Sequence, residues 1–96
     1  MYRDDPLDDE AELRDVVGDD YVDDLVDAEP IAGREPLDVA LDVLRVLQGW
    51  ADDSAAGRWF TAEQRRLEGR TPVAALLAGA FEEVEDAARA WAAAQG

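Results

Sequence analysis

Residues 59–79 carry the sequence WFTAEQRRLEGRTPVAALLAG, which contains a dense series of helix start and stop signals. Gly69 predicts a stop in the left-handed backbone conformation, which glycine adopts without a steric penalty. Thr71 and Pro72 then have the pattern of an N-cap followed by a first-turn proline. Gly79 ends the short helix that they begin. This stretch predicts a small helical unit around which the rest of an all-α chain is arranged.

The residues just after the two aromatics contain a further helix signal. Thr61 and Gln64 have the spacing of a capping box, in which each side chain bonds the backbone amide of the other residue. This spacing predicts that the chain turns at Thr61 and begins a helical turn that carries Arg65 and Arg66.

Apolar periodicity indicates the remaining helices. The most apolar one begins at Pro36 and ends before Gly49, and its apolar side chains lie on two sides, so we predict that it is central. The others are predicted from Asp9 or Glu10 to Gly18 after a frayed start at residues 1–9, from Asp19 or Asp20 to Val26, from Asp52, Asp53 or Ser54 to Phe60 with Gly57 inside, and from Phe81 through Trp91. No segment has a convincing strand pattern. We therefore predict an all-α fold, a small compact bundle of about five to six short helices with no sheet.

The 96 residues carry a net charge of -15, and the acidic residues are concentrated near the amino terminus. Residues 1–35 hold 14 acidic residues and 3 arginines, whereas residues 36–96 hold 10 acidic residues and 6 arginines. Five of the seven aromatic residues, Trp50 among them, lie in the second part, where the core is expected. Tyr2 and Tyr21 are expected at the periphery. We divide the chain into an acidic helical segment, residues 1–35, and a helical domain, residues 36–96.

Cysteine and histidine are absent from the sequence. Disulfides and thiolate metal sites are therefore excluded, and so is the side chain that most often acts as a general base. Ser54, a candidate nucleophile, is better explained as a helix cap. The paired aspartates lack the glycine and the alternating oxygen ligands of an EF-hand loop. We predict a protein that is not an enzyme and that has no catalytic residues, no metal site and no cofactor.

The sequence contains no apolar run of about 18 residues and no basic-then-apolar leader. Neither a membrane span nor a secretion signal is predicted, and we expect a cytoplasmic protein.

The acidic amino-terminal segment has three interpretations. The spacing of its second helix places five aspartates along one face, namely Asp19, Asp20, Asp23, Asp24 and Asp27. Such a face is ordinarily a solvated surface. The use of arginine for all nine basic residues, with 15 Asp and 9 Glu, is typical of a GC-rich and salt-loving host, in which carboxylates maintain solubility. The same face could imitate a phosphate backbone in a basic groove of a partner, whereas direct nucleic-acid binding is disfavoured by repulsion.

Residues with interface chemistry are concentrated after position 58. Arg65, Arg66 and Arg70 form the only basic cluster of the chain. They could pair with nearby glutamates, which contributes little at a surface, or they could contact a partner, because arginine is enriched at binding hot spots. Trp59 and Phe60 have the same two interpretations, as core anchors or as part of the partner surface.

The order of these motifs resembles the toxin-binding domain of the Xre/MbcA/ParS antitoxins over about residues 40–94. That family has a tryptophan-led segment, an irregular stretch, a leucine-glycine-arginine-x-proline turn, a short leucine-rich helix, a glycine and a final helix. The matching residues here are Trp59-Phe60-Thr61, the run from Arg66 to Pro72, Leu76, Gly79, Glu82, Val84 and a last helix through Trp91. The chain departs from the family in lacking a proline after Phe60 and in having Glu68 instead of a second glycine.

The resemblance implies an all-helical antitoxin domain, residues 36–96, that pairs with a RES-domain toxin acting on NAD. In that family the antitoxin inhibits sterically, because its carboxyl-terminal region covers the active-site cleft of the toxin. The residues that would shape the domain are Trp59, Phe60, Leu67, Gly69, Thr71, Pro72, Leu76 and Trp91. The residues that would bind the partner are Arg65, Arg66, Arg70, Gly79, Phe81, Glu82 and Glu83. Residues 1–35 are too short and too acidic for an operator-binding helix-turn-helix, so operator binding is not expected.

A hypothesis from another class is an acidic helical adaptor or structural protein without a toxin partner. Its amino-terminal segment would bind a basic partner or simply suit high salt. A homodimer is compatible with either hypothesis, because an alanine-rich core gains from further burial.

Overall fold

The computed structural model describes residues 6–95, with side-chain surroundings from Asp9 onward. These residues form six α-helices and one 3₁₀ turn, and they contain no strand. The helices are α1 (Pro6–Val17), α2 (Asp19–Asp27), α3 (Pro36–Gln48), α4 (Asp53–Thr61), α5 (Pro72–Leu77) and α6 (Phe81–Gln95), with the 3₁₀ turn Arg65–Leu67 between α4 and α5. None of these helices combines the length and the apolar character needed to cross a membrane. The all-α prediction is confirmed, and the expectations for Tyr2 and residues 1–5 lie outside the described residues.

The amino-terminal helices differ from the prediction at their starts. α1 begins at Pro6, so the frayed start predicted for residues 6–9 is wrong. Proline suits a first turn because the N–H that it lacks has no helical acceptor there. α2 follows Gly18, which has φ 113° and offers no side-chain cap. Asp19 and Asp20, the predicted caps, lie in the first turn, where their charges interact favourably with the helix dipole.

Helix α3 is central, as its two apolar sides predict. It begins at Pro36, ends before Gly49 and contacts every other α-helix of the described chain. The side chains that it buries are Pro36, Val39, Ala40, Val43, Leu44 and Leu47. Those that pack on the core while partly exposed are Leu37, Leu41 and Val46.

The hydrophobic core extends into the acidic amino-terminal segment. α1 and α2 contribute Leu13, Val17, Val22 and Leu25, none of them more than 8% exposed. The expectation of a core restricted to the second half is therefore wrong, because aliphatic side chains at helical spacing bury apolar area as well as aromatic ones do. Trp50 is 58% exposed and lies outside the core. Tyr21 is peripheral, as predicted.

Helix α4 crosses α1 at Gly57, where there is no room for a side chain. A Cβ atom on Gly57 would lie 2.2 Å from the carbonyl oxygen of Val16 in α1. Glycine is a poor helix former in a helix interior. At this position its lack of a side chain allows the two backbones to approach, and Ala56 and Phe60 beside it are completely buried.

Arginines connect α1 to its neighbours. Arg14 bonds Asp23 of α2 at 2.8 Å, and Arg45 of α3 bonds Glu12 at 3.1 Å and also pairs with Asp9. The hydrogen bond with Asp23 is the main reason why the pKa of Arg14 lies above its ordinary value. Because these pairs are mostly exposed, they orient the helices more than they stabilise the fold.

Gly57→Ala tests the crossing of α1 and α4. In an open helix interior this change stabilises by about 1 kcal/mol, since alanine has the higher helix propensity. Here the added methyl group would meet the Val16 carbonyl, so we expect the free energy of unfolding to fall by about 1–3 kcal/mol. Urea unfolding followed by circular dichroism measures this change.

Gly49→Ala is the matched control for that substitution. Gly49 has φ -70°, and a Cβ atom there would lie 3.5 Å from its nearest neighbour, which is ordinary contact. We expect its stability to be unchanged or slightly higher. A Gly57→Ala protein that is as stable as the unmodified chain would contradict the close crossing.

Candidate partner-binding groove

Gln64 holds the loop that follows α4. Its side-chain amide donates to the carbonyl of Trp59 at 3.0 Å. Its backbone carbonyl accepts from the amides of Leu67 and Gly69, and its backbone amide donates to the carbonyl of Arg70, all at 3.0 Å. The hydrogen bonds of Gln64 therefore connect the end of α4 with residues 67–70 of the loop.

Thr61 and Gln64 do not form the predicted capping box. Thr61 is the last residue of α4, and its hydroxyl donates to the carbonyl of Gly57 at 3.0 Å. A threonine still inside a helix commonly bonds this carbonyl, four residues earlier, because it is the nearest acceptor. The predicted helical turn is present as the 3₁₀ turn Arg65–Leu67, which ends at Glu68 in the left-handed conformation.

A groove runs between this loop and the carboxyl-terminal half of α6, and we call it the α4–α6 groove. It consists of two adjoining clefts of about 290 and about 360 Å³, which share Trp59, Gln64 and Trp91. The first cleft is also lined by Arg65, Arg66, Ala87, Ala90 and Ala94. The second is also lined by Ala55, Arg58, Ala62 and Gln95.

The groove has an apolar floor and a cationic rim. Trp59 is 4% exposed and Trp91 is half-buried, whereas the three arginines of the rim are exposed. Among the described residues, no Asp or Glu lines either cleft. The described residues also contain no group of acidic side chains arranged to hold a metal ion.

Among the residues that the structure describes, the three arginines of the groove have no acidic partner. Within residues 6–95, each arginine outside the groove forms an ion pair, namely Arg14, Arg34, Arg45, Arg70 and Arg89. Arg58 donates to the hydroxyl of Ser54 at 2.9 Å, and neither Arg65 nor Arg66 has an ion-pair partner in that range. In a chain with 24 acidic residues and 9 arginines, this arrangement concentrates unneutralised positive charge at one place.

The predicted partner-binding residues lie in two separate places. Arg65 and Arg66 line the α4–α6 groove. Arg70 follows the 3₁₀ turn, where its Nε donates to the carbonyl of Leu67 at 3.0 Å and its guanidinium lies 3.8 Å from the carboxylate of Glu68. The other four lie around the start of α6: Gly79, Phe81, Glu82 and Glu83.

A turn from the α2–α3 connection covers the start of α6. Ile31 and Arg34 exchange backbone hydrogen bonds of 2.8 and 3.0 Å. The Cγ2 atom of Ile31 lies 3.0 Å from the position of a Cβ on Gly79, and the guanidinium of Arg34 lies 5.5 Å from the ring centre of Phe81. Phe81 is 5% exposed, so the two glutamates are the exposed members of this group.

Most of the residues predicted to shape the domain are buried, and Trp59 also contributes to the groove. Its ring packs edge-on against Phe60 with 5.5 Å between ring centres, and Trp59 is 4% exposed, which supports the core interpretation. The hydroxyl of Thr71 accepts from the amide of Ala74 at 3.1 Å, which confirms the predicted cap. Gly69 has φ 84°, as its predicted left-handed stop requires. The other buried members of the set are Phe60, Leu67, Pro72 and Leu76.

Arg58 and the alanines of α6 line the groove but are not among the residues predicted from the sequence. Ala87, Ala90, Trp91 and Ala94 recur at helical spacing, so the pattern of small residues around Trp91 was a usable signal. Arg58 carries no such signal, because its role depends on how the loop after α4 lies against α6.

Comparison of the chain with protein-family models, with curated proteins and with solved structures finds no match. The geometry of the groove and the order of the sequence motifs are the observations that bear on its function.

Gln64→Glu tests whether one side-chain amide holds the loop beside the groove. The substitution keeps the shape but replaces the donor to the Trp59 carbonyl with a carboxylate oxygen, so we expect the free energy of unfolding to fall by about 1–3 kcal/mol. Amide exchange at Leu67 and Gly69, measured by NMR, should become faster.

Gln95→Glu adds the same charge at the exposed end of α6 and removes only a longer, exposed bond of 3.3 Å to the carbonyl of Trp91, so it serves as the control. We expect it to change the free energy of unfolding by less than about 0.5 kcal/mol. Equal losses for the two variants would show that added negative charge, rather than the lost hydrogen bond, destabilises the protein.

Proposed function

We propose that this chain is a non-catalytic protein-binding module, the antitoxin of a toxin–antitoxin pair that acts in the cytoplasm. Its partner is a RES-type toxin that consumes NAD, and the chain neutralises it by covering the active-site cleft, as the motif resemblance implies. The observation that carries the proposal is the α4–α6 groove, which is lined by two tryptophans and by three arginines that have no ion-pair partner among the described residues.

The chemistry of the groove favours a protein partner. Arginine and tryptophan are the residue types that most often dominate the binding energy of protein interfaces. An arginine without an ion pair can bond a partner's carboxylate without first breaking an ion pair within its own chain. Steric covering of a cleft needs no acid, base or nucleophile from the inhibitor, so the proposal requires no catalytic group in this chain.

The net charge favours approach to an NAD-binding cleft. Such a cleft holds the two phosphates of NAD, and it therefore presents basic side chains or backbone amides. A chain with a charge of -15 is attracted toward positive charge, which speeds association at low ionic strength. The groove would then supply specific contacts to the surface beside the cleft.

The exposed face of α2 favours a second candidate, an acidic adaptor for a basic partner. Tyr21 and Val26 are 41% and 44% exposed on this helix. The described residues provide no ion-pair partner for its aspartates Asp20, Asp24 and Asp27. Apolar side chains among unpaired carboxylates are suited to a basic amphipathic segment.

Co-expression with the protein encoded beside this chain tests the proposal. We expect the two proteins to co-purify and the neighbour's consumption of NAD to stop. Deleting residues 1–35 is unsuitable for locating the interface, because the deletion would remove Leu13, Val17, Val22 and Leu25 from the core. Substitutions at exposed positions are used instead.

The double variant Arg65→Ala, Arg66→Ala should weaken the complex by about 30-fold or more, as expected for hot-spot residues, and should restore NAD consumption. The matched variant Asp20→Ala, Asp24→Ala removes two exposed charges from α2 and should bind within about threefold of the unmodified chain. Titration calorimetry measures both affinities.

If the Asp20→Ala, Asp24→Ala variant lost more affinity than the Arg65→Ala, Arg66→Ala variant, the acidic adaptor would be favoured. A neighbour that forms no complex and consumes no NAD would contradict the antitoxin proposal.

A further inference from the structure

We infer that the α4–α6 groove binds a short acidic peptide segment in which an apolar side chain lies between carboxylates. This inference deepens the proposed function, and it rests on that function only in taking the occupant to be part of a protein.

The charges of the groove select a small anionic group. Arg58, Arg65 and Arg66 have no ion-pair partner within residues 6–95, and no carboxylate of these residues lines the groove. The guanidinium group matches the geometry of a carboxylate and can bond it through two N–H groups. Two or three carboxylates would therefore neutralise the groove.

Arg65 and Arg66 line one cleft of the groove and Arg58 lines the other, so a peptide along the groove can meet arginines from both clefts. Arg65 and Arg66 line the cleft that reaches Ala87, whereas Arg58 lines the cleft that reaches Gln95. From Ala87 to Gln95 the axis of α6 rises by about 12 Å. An extended peptide covers that length with about four residues. Carboxylates separated by two or three residues would fit within that length.

The middle of the groove favours an apolar side chain between those carboxylates. Trp59 and Trp91 line both clefts, so they lie where the clefts join. The small side chains of Ala90 and Ala94 leave room beside the half-buried ring of Trp91. An aromatic or branched aliphatic side chain would bury this apolar surface and pack on the ring.

Two other polyanionic occupants fit the groove less well. A nucleic acid would place many phosphates along a protein with 24 acidic residues, and the repulsion would extend beyond the groove. A second copy of the chain would bring together two molecules of charge -15. A short segment of a partner protein avoids both kinds of repulsion, because only a few negative charges need to enter the groove.

The probe is a fluorescein-labelled peptide of sequence Asp-Glu-Asp-Phe-Leu-Asp-Glu, titrated with the whole chain at physiological ionic strength and followed by anisotropy. We expect saturable binding with a dissociation constant below about 1 mM. Replacing the acids by Asn and Gln should weaken binding by about tenfold or more, and so should replacing Phe and Leu by Ser.

Charge-neutralising variants locate the site. Arg65→Gln and Arg66→Gln should each weaken peptide binding by about fivefold or more, whereas Arg89→Gln, also exposed but paired with Asp86, should stay within about twofold. Thermal melting checks that each variant remains folded.

Several results would overturn the inference: no binding of the acidic peptide, equal binding of its neutral version, or equal effects of the Arg65 and Arg89 variants. Tighter binding of a single-stranded oligonucleotide would favour nucleic acid as the occupant, and a dimer that the peptide dissociates would favour a second copy. Because the peptide assay uses the isolated chain, its failure is distinguishable from failure to bind a toxin.

Discussion

Helix α3 has apolar side chains on two sides, and the other helices are arranged so that both sides are covered. This requirement explains why α1 and α2 are part of the fold although their outer faces are acidic. Their aliphatic residues Leu13, Val17, Val22 and Leu25 complete the core. At the close crossing of α4 over α1, Gly57 lets the two backbones come together, and Phe60 of α4 is completely buried. The acidic segment is therefore structural as well as electrostatic.

Positive charge is scarce in this chain, so the contacts of the arginines in the described residues are informative. Arg14 and Arg45 join α1 to α2 and α3. Arg34 holds the turn that covers Phe81, because it lies over the Phe81 ring and pairs with Glu85. The arginines of the α4–α6 groove serve no such internal purpose in the described residues. Leaving them unpaired costs the free protein little stability, because exposed ion pairs contribute little, and it leaves their guanidinium groups accessible.

The sequence predicts the helices well where local signals set their ends, as at Pro36 with Gly49 and at Thr71 with Pro72. It fails where tertiary contacts decide the outcome. Gly57 has low helix propensity but is required by a neighbouring backbone that no local pattern reveals. The turn at Ile31 to Arg34 covers Gly79 and Phe81, so the motif order alone cannot tell that these residues lie away from the groove. The small-residue face of α6, in contrast, was visible as helical spacing around Trp91.

Hydrogen exchange measured by mass spectrometry on the complex with the proposed protein partner tests most directly whether the groove is the binding surface. If the partner occupies the groove, binding should slow exchange in the loop that carries the 3₁₀ turn Arg65–Leu67 and in the half of α6 that ends at Gln95, and should leave α2 unchanged. New protection confined to α2 (Asp19–Asp27), with none in the loop or in α6, would contradict it.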